Sequence, residues 1–322
     1  MIFLNGMKLS PILIIQIRFT ERQTTMKDYA SAFKGIYPAL LTPFDSEYRI
    51  NEKALRQLVK MNLDKGVQGF YVCGSTAEAF MLSVEDRKRI LEIIADENAG
   101  KAKIIAHIGT ISQLQAIDLA KHAQANGADM VSSICPFYYG FPFKDLKAFY
   151  YTLADSVDLP VLVYYFPANS GVKFTLDMVE EFLCDERFAG VKFTNNDFFM
   201  LQQIKAHYPK AVVLNGYDEM FMCGISMGAD GGVGSTYNFM AEKYLGIIDA
   251  MEKGDINGAR KLQYEANAIL TKLMKYGIMP AEKAVLEMMG IPMGNCLKPF
   301  AEVSEEARKD LRETLLANGC AL

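Results

Sequence analysis

A lysine set in an apolar run, Phe188-Ala189-Gly190-Val191-Lys192-Phe193-Thr194, is the residue of this chain best suited to chemistry. An ammonium stripped of water has a lowered pKa, and the freed amine becomes a nucleophile for a carbonyl carbon. The competing reading has Lys192 at a strand end, reaching out to solvent with its charge intact. Four other segments hold groups that could serve such an amine. Gly74-Ser75-Thr76-Ala77-Glu78 offers hydroxyls and backbone N–H groups suited to a carboxylate. Ser75-x-x-Glu78 also has the form of a capping box, which would only start a helix. Tyr164, in Tyr164-Tyr165-Phe166-Pro167, either shuttles a proton or packs as strand tyrosines do. Asn215-Gly216-Tyr217-Asp218-Glu219 carries two carboxylates that could accept hydrogens from sugar hydroxyls, or complement a helix dipole. Gly231 to Tyr237 adds Ser235. Neither of these last two segments holds a Lys or Arg to neutralise phosphate. The glycine-rich stretch also lacks G-K-[ST] and a full G-x-G-x-x-G, which excludes a nucleotide loop.

These segments are spaced by a strand-then-helix rhythm. Apolar or β-branched runs recur at Gly35–Leu41, Gly69–Val72, Lys103–Ile108, Met130–Ile134, Val161–Tyr165, Gly190–Phe193, Ala211–Leu214 and Gly231–Gly234. Between them, Glu52–Lys65, Val84–Asn98, Gln113–Asn126, Lys144–Ser156 and Leu176–Leu183 have helical periodicity. Short apolar strands alternating with helices imply a parallel sheet covered on both faces. Eight such units predict a closed (β/α)8 TIM barrel over residues 34–254, with Asp255–Tyr276, Pro280–Met289 and Ser304–Ala317 as helices of a C-terminal segment, residues 255–322. In such barrels the chemistry sits at the C-terminal ends of the strands, where the candidate residues fall. Lys103 falls at a strand start, the face that serves stability.

The chain of 322 residues is 51% hydrophobic, so a large core is available. A net charge of -4 gives no electrostatic footprint for nucleic acid or an anionic membrane. The six cysteines form no C-x-x-C pair and suggest a reducing compartment, hence the cytoplasm. His107, His122 and His207 show no zinc-binding spacing, so no metal is expected, and His107 reads as a hydrogen-bonded core histidine. Residues 1–25 read as an appendage without chemistry, disordered or loosely packed; the apolar stretch 11–17 is too short to span a bilayer.

Taken together and in order, Gly-Ser-Thr at 74–76, Tyr164, Val191-Lys192, Asn-Gly-Tyr-Asp-Glu at 215–219 and Gly-Ser-Thr-Tyr-Asn at 234–238 resemble the N-acetylneuraminate lyase branch of the dihydrodipicolinate synthase superfamily, from about Lys34 to near the C-terminus. The resemblance implies a cofactor-free class I aldolase that cleaves N-acetylneuraminate reversibly to N-acetylmannosamine and pyruvate. It implies that Lys192 forms the Schiff base, that Tyr164 shuttles the proton at the C4 hydroxyl, and that Ser75 and Thr76 hold the carboxylate, with Ser75 also in the proton relay. Tyr138 matches a tyrosine that reaches into a neighbouring subunit's site, and the implied assembly is a homotetramer. Thr194, Gly216, Asp218, Glu219 and Ser235 match positions that bind the sugar's hydroxyl chain. Two positions depart from the pattern: Ala77 stands where glycine is usual, and Tyr165 where asparagine is frequent. The synthases of the superfamily carry an arginine where this chain has Asn169, and losing a bidentate carboxylate clamp argues against synthase activity.

Two other functions compete. One is a different pyruvate-dependent class I aldolase or dehydratase of the same superfamily, acting on another 2-keto acid. The other is a non-catalytic barrel that binds a keto acid or sugar; its mark would be loss of the lysine or the tyrosine, and both are present.

Overall fold

The computed structural model describes residues 3–4, 7–8 and 27–322. The expected appendage of residues 1–25 lies outside the described residues, apart from a two-residue antiparallel pairing of Phe3–Leu4 with Met7–Lys8.

Eight strands form one parallel sheet: β1 Gly35–Pro38, β2 Gly69–Val72, β3 Lys103–His107, β4 Met130–Ile134, β5 Val161–Tyr165, β6 Phe188–Phe193, β7 Val212–Asn215 and β8 Gly231–Gly234. From β2 to β8 each strand pairs with the next in sequence, and β8 pairs back onto β1. A single parallel bridge from Ala39 to Tyr71 closes the ring between β1 and β2. Helices follow the strands: α1 Glu52–Asp64, α2 Val84–Asn98, α3 Gln113–Ala125, α4 Phe143–Ser156, α5 Leu176–Leu183, α6 Phe198–His207, α7 Phe221–Ser226 and α8 Tyr237–Glu252. The result is a (β/α)8 TIM barrel. Every residue of these eight strands is buried except Lys103, as the apolar runs require of strands covered on both faces. At Lys103 an ion pair with Asp129, 2.8 Å, ties β3 to the turn before β4.

Three more helices end the chain: α9 Ile256–Tyr276, α10 Ile278–Met288 and α11 Glu305–Ala317. Local chemistry sets their starts. Asp255 and Ser304 are not the first helical residues expected from the sequence but the caps, whose side chains accept the N–H of Gly258 and Ala307. Helix α10 begins two residues before Pro280, which sits in the first turn, where no N–H is required of it. Strand β6 is longer than expected and begins at Phe188. At Gly190 it approaches β7 so closely that a Cβ would stand 1.8 Å from the Val212 carbonyl oxygen. Glycine there lets the strand carrying Lys192 pair tightly with its neighbour.

Candidate active site

Register places the first two candidates side by side. Tyr164 on β5 pairs with Lys192 on β6, and each is the penultimate residue of its strand. Lys192 is 5% exposed. Its amine lies 4.0 Å from the centre of the Tyr164 ring and 4.1 Å from that of Tyr71 on β2. Burial pulls its pKa from 10.5 to about 7, against the field of Asp218, which favours the charged form. That drop corresponds to about 5 kcal/mol, larger than the ~0.5–2 kcal/mol that an aromatic face returns to a cation. Desolvation therefore wins, and a large share of the amine is neutral at neutral pH. Lys192 does not reach out to solvent.

Tyr71 was missed by sequence reasoning. Its hydroxyl donates to Ser132 Oγ at 3.0 Å, which fixes the ring beneath the amine. The Tyr164 ring meets Tyr71 edge-on at 6.1 Å and lies nearly parallel to Phe166 at 5.9 Å. Burial holds the Tyr164 phenol far above its ordinary pKa, while the Ser75 and Thr194 hydroxyls pull it partway back. It is therefore a neutral proton donor flanked by two hydroxyls. His107 is the core histidine expected. Its ring contacts Tyr71 and Tyr164, Nδ1 donates to the Cys73 carbonyl at 2.9 Å, and Nε2 accepts from the Ile134 N–H at 3.3 Å. Burial, chiefly, keeps it neutral.

The loop after β2 differs from expectation. Ser75–Ala77 form one turn of 3-10 helix, and the capping box does not form. The next helix begins only at Val84, capped by Ser83. Ala77 is accommodated because the left-handed residue is Glu78, at φ 60°, and not Ala77. The Glu78 carboxylate is buried: it meets Lys283 of α10 at 2.7 Å and accepts the Leu297 N–H at 2.6 Å. Lys283 also donates to the Asn295 carbonyl at 3.2 Å and sits 4.3 Å from the Phe44 ring centre. Ser75 and Thr76 stay partly exposed at the mouth. A cavity of about 260 Å³ opens there, lined by Ser75, Phe80, Phe137, Asn169 and Met279 among others. Tyr165 packs outward against Phe174, ring centres 5.5 Å apart, away from the amine.

The polyol candidates lie after β6, β7 and β8. Thr194 is 3% exposed, and Gly216 opposes it so closely that a Cβ would meet Thr194 Oγ1 at 1.9 Å. Asp218 turns partly inward: Oδ2 accepts from the Thr236 N–H at 2.9 Å and from its hydroxyl at 2.6 Å. Burial raises its pKa to about 6 despite those bonds. Glu219 remains half-buried, its carbonyl held by Asn267 of α9 at 3.1 Å. Ser235 donates to Glu282 of α10 at 2.6 Å, another partner that sequence reasoning missed. Tyr138 stands apart from these groups: it is 75% exposed, edge-on to Tyr139, on the wall of a separate cavity of about 470 Å³. Among the described residues no group of three or more His, Cys, Asp or Glu could hold a metal ion.

A (β/α)8 barrel with a desolvated amine at the end of its sixth strand, beside a tyrosine and a hydroxyl-rich rim, defines a class: the Schiff-base lyases. The model of the dihydrodipicolinate synthetase family matches residues 32–318. The N-acetylneuraminate lyase of Salmonella typhimurium strain LT2 is 43% identical over 294 residues, covering 89% of this chain and 98% of that one. Among solved structures, CdNal of Clostridium difficile in complex with mannosamine superposes with a TM-score of 0.87 at 37% identity, covering 89% of this chain and 99% of that one. A catalytic lysine mutant of the Ruminococcus gnavus sialic acid aldolase gives 0.86 at 29% identity, covering 89% and 97%. The chain belongs to the dihydrodipicolinate synthetase family.

Proposed function

We propose that this protein is a class I aldolase that cleaves N-acetylneuraminate reversibly to N-acetylmannosamine and pyruvate. The observation that carries the reading is the Lys192 amine, buried between two tyrosine rings and depressed to a pKa of about 7. The names of the relatives fix the substrate class that the reading adopts.

The amine attacks the C2 ketone of the open-chain sugar acid, and loss of water leaves an imine. Once protonated, the imine draws the electrons of the C3–C4 bond. Tyr164 takes the C4 hydroxyl proton as it passes its own phenolic proton to Ser75, and Ser75 hands its hydroxyl proton on to the substrate carboxylate it holds, so no free phenolate need form in an apolar site and the same path can return the proton to C3. The C3–C4 bond breaks, C4 leaves as the aldehyde of N-acetylmannosamine, and the electrons rest in an enamine. Protonation at C3 and attack by water release pyruvate and restore the amine. Ser75 and Thr76 hold the carboxylate. Thr194, Gly216, Asp218, Glu219 and Ser235 line the polyol chain, Asp218 in part by bracing Thr236.

Tyr138, exposed on one protomer, suits a residue that completes a neighbour's site in a homotetramer. All six cysteines are free, which suits the cytoplasm. Among the described residues no helix is long and apolar enough to cross a membrane.

The test is pyruvate release from N-acetylneuraminate by the purified protein, with Lys192→Ala beside it. Release that vanishes in the variant supports the reading. If the parent releases none, the reading fails, and borohydride trapping with pyruvate then separates a sister aldolase, which labels Lys192, from a non-catalytic barrel, which does not.

A further inference from the structure

Helix α10 lies outside the eight strand-and-helix units, yet it sends consecutive charged side chains into the barrel mouth. Glu282 is 0% exposed and Lys283 is 1% exposed. Lys283 holds the loop after β2 through Glu78, and Glu282 holds the loop after β8 through Ser235. The two arrangements are not equivalent. Lys283 is matched by a full carboxylate and a carbonyl. Glu282 has no cation beside it, and its Oε2 is buried without a hydrogen-bond partner. A buried polar atom left in that state costs about as much as a lost hydrogen bond, so its retention calls for a use.

The geometry supplies one. Ser235 gives its only proton to Glu282 Oε1 at 2.6 Å, so the serine's remaining capacity is to accept. The neighbouring carboxylates of Asp218 and Glu219 are acceptors as well. Asp218 links this corner to the reacting end, since its charge is felt by both Lys192 and Glu282. Burial, chiefly, raises the Glu282 carboxyl well above the usual carboxylate range, while the hydrogen bond from Ser235 pulls it back down.

We propose that Glu282 is a specificity-determining residue: it fixes the Ser235 hydroxyl as a hydrogen-bond acceptor and so selects substrates whose hydroxyl chain, distal to the cleaved bond, donates at that point. This rests on the aldolase reading above. Glu282 is a positioning residue, because it acts through Ser235.

The experiment compares N-acetylneuraminate with an analogue truncated after C6, which lacks the distal hydroxyls, for the parent, Glu282→Gln, Glu282→Leu, Ser235→Ala and the Glu282→Leu/Ser235→Ala double variant. Glu282→Leu should lower kcat/KM for the full substrate by about tenfold, mainly through KM, as expected for one lost hydrogen bond. The truncated analogue should fall much less, so the preference for the long chain shrinks. The double variant should be no worse than Ser235→Ala alone, because both changes remove one interaction. Glu282→Gln, which keeps shape and an acceptor, should lie between the parent and Glu282→Leu. Equal loss on both substrates, an unmoved preference, or additive losses in the double variant would each overturn the proposal while leaving the aldolase reading in place. A parent that cleaves neither compound would overturn both.

Discussion

Two lysines of this protein are buried to the same degree and have opposite fates. Lys192 is 5% exposed and Lys283 is 1% exposed, and each lies over an aromatic ring. Lys283 has a carboxylate at 2.7 Å and a backbone carbonyl, so its charge is matched inside the protein. Lys192 has rings on two faces and no carboxylate in contact, so its charge is unsupported and the proton is held weakly. Burial alone does not make an amine reactive. Burial without a partner does, and the partner is what turns the same residue type into a strut.

The largest expected effect falls on the unpartnered lysine. Lys192→Ala should lower pyruvate release from N-acetylneuraminate by roughly 10⁴-fold or more and abolish borohydride trapping, with circular dichroism unchanged. Lys192→Met should cost no stability in a urea melt, because no ion pair is broken. Lys283→Met should instead cost about 3–5 kcal/mol in the same melt, since it leaves Glu78 buried without a cation. Adding Glu78→Gln should recover part of that loss, and a loss as large in the Lys192→Met protein would erase the distinction between the two sites. Tyr164→Phe should lower kcat by roughly 10²–10³-fold while pyruvate is still trapped on Lys192, separating proton transfer from imine formation. The smallest effect is on pH dependence. With the Lys192 pKa depressed to about 7, the neutral amine predominates above that pH, so kcat/KM should reach its plateau there and fall about tenfold per unit well below it. A profile flat from pH 5 to 9 would contradict the depressed amine.

The barrel was legible because its signal is local. Met130–Ile134, Val161–Tyr165 and Gly231–Gly234 were read with their observed bounds, since an apolar run between turn residues needs no distant information. Lys192 was legible for the same reason. The supports were not. Ser75-x-x-Glu78 has a cap's spacing, and nothing nearby says that Glu78 would take a left-handed backbone and reach Lys283 across the barrel mouth. Glu282 and Lys283 look like ordinary charged positions of a surface helix until tertiary packing buries them. Tyr71 could have been found, because an aromatic at the penultimate position of β2 is a natural inward neighbour for residues near the ends of β5 and β6.

Helix α10 also bears on the order of events during synthesis. The ribosome releases all eight strands before it releases the helix that ties down the loops after β2 and β8. A barrel can close on the nascent chain, but the loops after β2 and β8 gain their two buried anchors only after residue 283 has emerged. The rim is therefore completed only after the strands that carry its chemistry have been made, and a chain stopped short of α10 would carry Lys192 in a mouth that lacks both of those anchors.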